Sequence, residues 1–456
     1  MYKKNAWSKY NDQEMKKLMT FCEDYKDFLS TCKTERECVK YSVELIEKLG
    51  FKNINSLKSL KAGDKVYAVN RDKNICVFVI GDEPIENGLN VLGAHIDSPR
   101  IDIKQNPLYE SEGYAMLDAH YYGGIVKYQW VTIRLAIHGV VCKKDGKVVN
   151  VCIGENPDDP VLVITDLLPH LAAEKMQKSA AKVIEGEDLD ITVGSMGLDG
   201  EEKESVKKAI LKLLKEIYDI DEEDFVSAEL EIVPEGKARD LGLDRSMILG
   251  YGHDDRVCAY TSLRAVLDAG KCKRTTCAYL VDKEEVGSIG ATGAHSTWFQ
   301  NVLAELINLQ NGNYNDLMLR RTLTNTYMLS SDVSAAYDPL YRSVFEKNNA
   351  CFLGSGITFN KYTGARGKSE CNDAMPEYMA KIRKIMDDNN INYQTAELGK
   401  VDVGGGGTIA YIMGNQNMNV IDAGVPVLSM HAPQEAVSKA DVYEAYMGYI
   451  AFIKEA

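Results

Sequence analysis

Short apolar runs of strand length alternate along this chain with longer segments of helical periodicity, and this alternation constrains the fold more than any other feature. It predicts an α/β architecture. The expected strands are residues 76–80, 89–95, 161–165, 276–282, 327–332 and 419–422, and the expected helices are 204–218, 255–269, 294–307, 372–389 and 439–454. In the first of these helices Val206, Ile210, Leu213, Leu214 and Ile217 recur at helical spacing. The middle of the chain reads differently. Residues 126–139 and 147–152 are rich in β-branched side chains and bounded by Gly, Asp and Asn, as strands are, and 185–204 is acidic and reads as a solvated loop. A domain takes about 100–200 residues, so 456 residues imply two domains or one core with an insertion. The partition that follows is a discontinuous α/β domain over 1–104 and 246–456, with a β-rich domain inserted at 105–245.

Charge narrows the partners. The chain carries 67 acidic and 53 basic side chains, a formal net charge of -14. Such a surface repels phosphate backbones and anionic lipid, so neither nucleic acid nor membrane is expected as a partner. The eleven cysteines are scattered, with no C-x-x-C among them. That predicts free thiols in a reducing compartment rather than a disulfide framework or a thiolate zinc site. The first residues, MYKKNAWSKYNDQEMKK, lack the apolar core of a signal peptide, and no run approaches the roughly 18 apolar residues of a spanning helix. A cytoplasmic location is the expectation.

Several apolar runs deliver a histidine or an acid at their ends. His95 closes one run in VLGAHIDSPR, and Asp97 follows on the same face of an extended segment. A metal-bound imidazole commonly donates its second N–H to a carboxylate, and this spacing supplies one. Taken alone, H-x-D equally describes a core histidine before a turn aspartate. In GYGHDDRVCAY, Asp254 and Asp255 sit where a glycine-containing turn passes into a helix; one serves as a cap and the other is left to bridge cations. In AYLVDKEEVGS the run ends in Glu284 and Glu285, whose side chains diverge, so that one ligates while the other acts as a base. A solvated charged turn is the plainer account of the same residues. YMLSSD delivers Asp332, and VPVLSMH delivers His431. Ligands of open α/β sheets collect at the C-terminal ends of strands. Two histidines and three carboxylates suit zinc, manganese or cobalt, and exceed the three protein ligands of a single catalytic zinc. One shared aspartate lets five residues serve two ions about 3.5–4 Å apart.

GAHIDSP, YYGGIVKYQW, PHLA, HDDRVC, DKEEVGS, SSD, GGGGTI and MHAPQE occur in this order over nearly the whole chain, and with them the sequence resembles the aspartyl aminopeptidase and aminopeptidase I family of co-catalytic zinc peptidases. The resemblance implies a mixed-sheet, phosphorylase/hydrolase-like zinc-peptidase domain with an inserted dimerisation domain. It implies that His95, Asp254 and Asp332 hold one metal and Asp254, Glu285 and His431 the other. Glu284 is then the general base and acid, working on a metal-bridged hydroxide, and Asp97 orients His95. His170, in LLPHLAAE, matches a histidine lent to a neighbouring subunit's site, and the assembly implied is a dodecamer built from dimers. The substrates implied are peptides with a free N-terminus. Departures fall at Ala335 and Asp338, where the family often has histidines, and at Thr358, with Lys361 nearby, where aspartyl members have lysine; they leave the choice between acidic and neutral N-terminal residues open. The family commonly has Leu-Asp-Asn where this chain has His253-Asp254-Asp255-Arg256, so the bridge is Asp254 or Asp255, with Asp254 the choice. Two other readings share parts of this pattern: a di-metal carboxypeptidase or N-acyl amino-acid deacylase, and a non-catalytic assembly protein of the same fold.

Overall fold

The computed structural model describes residues 5–456. Contacts divide it into two units, one of residues 5–97, 237–430 and 435–456, the other of residues 98–236 and 431–434.

The first unit is built on a nine-stranded mixed sheet. Its spatial order is Lys52–Asn53, Lys65–Asn70, Asn74–Val79, Thr275–Val281, Leu89–His95, Tyr327–Ser330, Asn419–Gly424, Ile357–Asn360 and Tyr393–Thr395. Thr275–Val281, Leu89–His95, Tyr327–Ser330 and Asn419–Gly424 are parallel neighbours. Parallel strands covered on both faces read as continuous apolar runs, and the central three are buried along their whole lengths, Tyr327 excepted. Alternate residues serve opposite faces. Leu92, Ala94, Ala278 and Leu280 join one core cluster with the helices Asp12–Thr31, Glu35–Lys48, His253–Asp268, Pro376–Asp388 and Lys439–Glu455. Val91, Cys277, Tyr279 and Val281 join the other, with Trp298–Asn311, Asp316–Asn325 and Ile409–Gly414. A smaller five-stranded sheet runs Arg239–Leu241, Met247–Gly250, Glu435–Ser438, Pro426–Leu428 and Ser334–Ala335.

The second unit is a six-stranded antiparallel sheet in the order Val148–Ile153, Leu135–Cys142, Ala228–Pro234, Arg100–Ser111, Tyr114–Tyr122 and Ile191–Gly194. The helix Ser205–Tyr218 forms as its periodicity predicts, with the Glu110 carboxylate accepting from the N–H groups of Val206 and Lys207 at its start.

Several expected elements differ. Residues 161–165 form no strand, because Leu162 and Val163 each make a single bridge to a different partner and no ladder propagates. In 126–139 the extended chain begins only at Leu135, after a 3-10 turn at Lys127–Gln129 and a left-handed Thr132, φ +61°. The 185–204 loop contains the strand Ile191–Gly194. The helix expected from 294 starts at Trp298, since Gly293 packs its backbone against Ser288 and holds that stretch in turns. The helix expected from 372 starts at Pro376, a residue suited to the first helical position. Among the described residues no helix is long and apolar enough to cross a membrane.

Candidate metal centre

Strand register determines what meets at the centre of the first unit. His95 lies opposite Val281, so those two parallel strands end level, and Ser330 lies opposite Gly93, so the third ends two residues short of His95. Glu284 and Glu285 follow one strand end by three and four residues, and Asp332 follows another by two. Asp254 enters from the start of the helix His253–Asp268. Ligand atoms of His95, Asp254 and Asp332 lie within 4.8 Å of one another, and so do those of His95, Glu284 and Glu285.

Each side chain is held in place. His95 is buried, and its Nδ1 lies 3.0 Å from the Asp97 carbonyl and 3.3 Å from Asp97 Oδ1. Oxygens only accept here, so Nδ1 carries a proton. Nε2 faces Asp254 Oδ1 at 3.2 Å and Glu284 Oε2 at 3.8 Å. Asp97 does more than orient the imidazole. Its Oδ1 accepts from the Glu284 N–H at 3.1 Å and its Oδ2 from the Glu285 N–H at 3.2 Å. The turn it grips is flanked by Lys283 and Ser288, both non-glycine residues with positive φ, +71° and +58°.

The two aspartates of the helix start have separate tasks. Asp254 belongs to the group with His95 and Asp332, while its own N–H donates to Glu435 Oε2 at 3.0 Å. Asp255 Oδ2 instead accepts the His95 N–H at 3.2 Å, and Asp255 joins none of the ligand groups among the described residues. The peptide between them is cis. Behind them Arg256 is wholly buried and donates to three backbone carbonyls: Gly252 (3.0 Å), Cys32 (2.5 Å) and Tyr251 (3.4 Å). Gly252 is obligatory at this turn: its φ is +72°, and a Cβ there would stand 1.5 Å from an Arg256 nitrogen. His253 turns away from the acids, its Nδ1 2.7 Å from the Tyr25 hydroxyl.

The electrostatics call for a cation. Burial, then Glu284, pushes the Asp332 carboxyl well above the ordinary carboxylate range. Burial, then Asp332, does the same to Asp255. Burial works to lower His95, but Asp254 and Asp97 beside it outweigh that and hold it well above the usual imidazole range. Carboxylates this close resist joint ionisation unless positive charge lies among them. Their oxygens and one imidazole nitrogen are the donors that zinc, manganese and cobalt take, so the residues present fit a metal centre.

The remaining sequence candidates lie in the second unit. His431 has φ +65°, and its Nδ1 meets the Gly124 carbonyl at 2.9 Å, which leaves the lone pair on Nε2. His170 lies on the exposed 3-10 turn Pro169–Leu171. Sequence reasoning missed three contacts: Asp97 with the Glu284 and Glu285 amides, Asp255 with the His95 amide, and Glu435 with the Asp254 amide. Side chains that bind a backbone amide far along the chain leave no spacing signal; Glu435 stands within MHAPQE, where nothing sets it apart from a surface acid.

Comparisons with known proteins identify the family. Residues 28–453 match the family described as Aminopeptidase I zinc metalloprotease (M18). A Clostridium acetobutylicum protein described as a probable M18 family aminopeptidase 1 is 60% identical over 455 residues, covering 99% of this chain and 98% of that one. A crystal structure of aminopeptidase I from the same organism has a TM-score of 0.93 at 58% identity, with 99% of each chain covered. The M18 aminopeptidase structure from Thermotoga maritima has a TM-score of 0.97 at 43% identity, with 100% of each chain covered. The chain therefore belongs to the M18 family of zinc metalloproteases and is an aminopeptidase.

Proposed function

We propose that this aminopeptidase works with two divalent ions per chain, zinc in the first instance, held by His95, Asp254 and Asp332 and by Asp254, Glu285 and His431. The observation that carries the reading is the convergence of His95, Asp254 and Asp332, and of His95, Glu284 and Glu285, within 4.8 Å. His431 follows Met430 of the first unit directly in the chain, and its Nε2 lone pair suits a ligand. Bound there, the ions supply Lewis-acid polarisation of a carbonyl and acidify water from its bulk pKa of about 15.7.

The chain's own residues do the rest. Glu284 is half-buried beside the cluster, its Oε2 3.8 Å from His95 Nε2, so its carboxylate is placed to take the proton of the attacking water. The same carboxyl then returns a proton to the leaving amine. Asp97 holds the backbone of Glu284 and Glu285 together with His95 Nδ1, which keeps base and ligands in one frame. His170 contributes to substrate binding in a neighbouring subunit. The inserted 105–245 domain drives assembly: Leu167, Leu168, Leu171 and Met176 are exposed apolar residues on it, as a contact between copies would use. A yeast aminopeptidase of the same fold, 22% identical with a TM-score of 0.76, was solved as a dodecamer.

The test is metal-stripped protein, titrated with zinc, cobalt or manganese and assayed on aminoacyl-anilides and their N-acetylated forms. Two equivalents per chain, activity only on free amines, and one equivalent in His431→Ala are expected. Saturation and full activity at one equivalent would remove the second ion from the reading. Hydrolysis of the acetylated substrates would place the chain with the deacylases in function.

A further inference from the structure

A second cluster of reactive side chains lies in the second unit. The strands Leu135–Cys142 and Val148–Ile153 pair antiparallel, and His138 stands directly opposite Cys152. Opposed residues project from the same face of a sheet. Cys152 Sγ lies 4.0 Å from His138 Nδ1, and His138 Nε2 lies 3.1 Å from Glu155 Oε1. Three properties make this more than a cysteine near a histidine. The thiol is exposed, on the edge strand of its sheet, while the imidazole is buried. The carboxylate only accepts, so Nε2 carries the proton and the neutral ring turns its Nδ1 lone pair toward the sulfur. The turn bearing Glu155 is itself built: Asp159 Oδ2 accepts from the N–H groups of Gly154 and Asn156, both at 3.2 Å, and the Tyr218 hydroxyl holds the Cys152 carbonyl at 3.0 Å.

We infer that Cys152 is a reactive thiol and a covalent modification site for low-molecular-weight disulfides, with His138 as its base and Glu155 orienting and charge-stabilising the imidazole. The chemistry is that of activated cysteines, in which a nearby imidazole accepts the thiol proton and an acid steadies the imidazolium. In the reaction the Cys152 proton passes to His138 Nδ1. The sulfur attacks one sulfur of the small disulfide, a new S–S bond forms, the old one breaks, and the departing thiolate takes the proton from His138. A separation of 4.0 Å is loose for a hydrogen bond but within what such pairs show before a substrate closes on them. Cys142 supplies the internal control: it is exposed, lies on the same strand as His138, and faces Val148.

The experiment uses the full chain, with metal present, exposed briefly to iodoacetamide at neutral pH and then, separately, to oxidised glutathione. Mass spectrometry of the peptides gives the modification rate at Cys152 relative to Cys142. The expected ratio is about tenfold or more with both reagents. His138→Phe keeps a buried ring without an acceptor and should bring the ratio to near unity, and Glu155→Ala should cut it at least about threefold. Glu155 is partly exposed, so its variant decides the matter if His138→Phe fails to fold. Equal rates at the two cysteines in the unaltered protein would overturn the inference, as would a ratio unchanged by either substitution.

Discussion

Replacing Asp97 with asparagine removes one oxygen's charge from the centre of the site without changing its volume. The aspartate is wholly buried, and its two oxygens accept the N–H groups of Glu284 and Glu285 while Oδ1 also faces His95 Nδ1. Asparagine offers one oxygen and one NH2, so one backbone N–H meets a donor. Losing a charged acceptor costs about 1.5–3 kcal/mol, and stranding a buried N–H costs about 1–3 kcal/mol. A combined loss of about 2.5–6 kcal/mol therefore falls on the turn that carries both glutamates. Part of it appears as lower stability. The part expressed in the transition state lowers kcat/KM by about 10²-fold, at about 1.4 kcal/mol per tenfold. Because one side chain holds both the proposed base and the proposed ligands, kcat at saturating zinc and zinc affinity should fall together. Leucyl-anilide hydrolysis and competition with a chromogenic chelator measure the two. A variant that keeps both and merely melts earlier would refute the reasoning. Loss of zinc affinity with kcat intact would confine Asp97 to orienting His95.

Four further outcomes are expected. Glu284→Gln should retain its metal by elemental analysis yet lose about 10²–10⁴-fold in kcat. Asp254→Asn should lose metal, whereas Asp255→Asn should bind it and show mainly a lower melting temperature, since Asp255 Oδ2 accepts the His95 amide; equal metal loss in both would reassign the bridge. Gly252→Ala should cost about 3 kcal/mol or more in denaturant unfolding, through positive φ and collision with Arg256. Lys361 is ion-paired to Asp373, and Thr358 is buried, so leucyl-anilide should turn over faster than aspartyl-anilide; the reverse order would locate another cation at the substrate side chain.

The sequence carried the parts of this protein that depend on periodicity. The runs at 89–95, 276–282 and 327–332 read as strands because both their faces are covered, and their terminal His95, Glu284, Glu285 and Asp332 could be picked out as strand-end acids and a strand-end histidine. What was lost is what periodicity does not encode. Residues 161–165 look like a strand yet pair through isolated bridges, because neighbouring strands and not local preference decide whether a ladder forms. Thr132 in the left-handed region interrupts a β-branched run that composition reads as continuous. Neither the division of labour between Asp254 and Asp255 nor the grip of Asp97 on two amides has a local signature, since each is a contact between segments more than a hundred residues apart.

The acids of this centre converge because of strand direction rather than sequence proximity. Were Thr275–Val281 antiparallel to Leu89–His95, Glu284 and Glu285 would emerge at the far edge of the sheet, the length of seven residues from His95. Parallel pairing in level register instead brings their turn beside His95, and Tyr327–Ser330 on the other side brings Asp332. The cost of that convergence is repulsion among buried and half-buried carboxylates, seen in the raised Asp255 and Asp332. Arg256, a nearby buried cation, places its donors on backbone carbonyls of the turn below Asp254, so it fixes that turn rather than balancing the acids. A fold that gathers oxygens and one imidazole nitrogen at strand ends, and assigns its adjacent guanidinium to backbone, is stabilised by the divalent charge it binds. Metal removal should accordingly lower the melting temperature of Glu284→Gln, whose turnover is nearly lost, as much as that of the active enzyme.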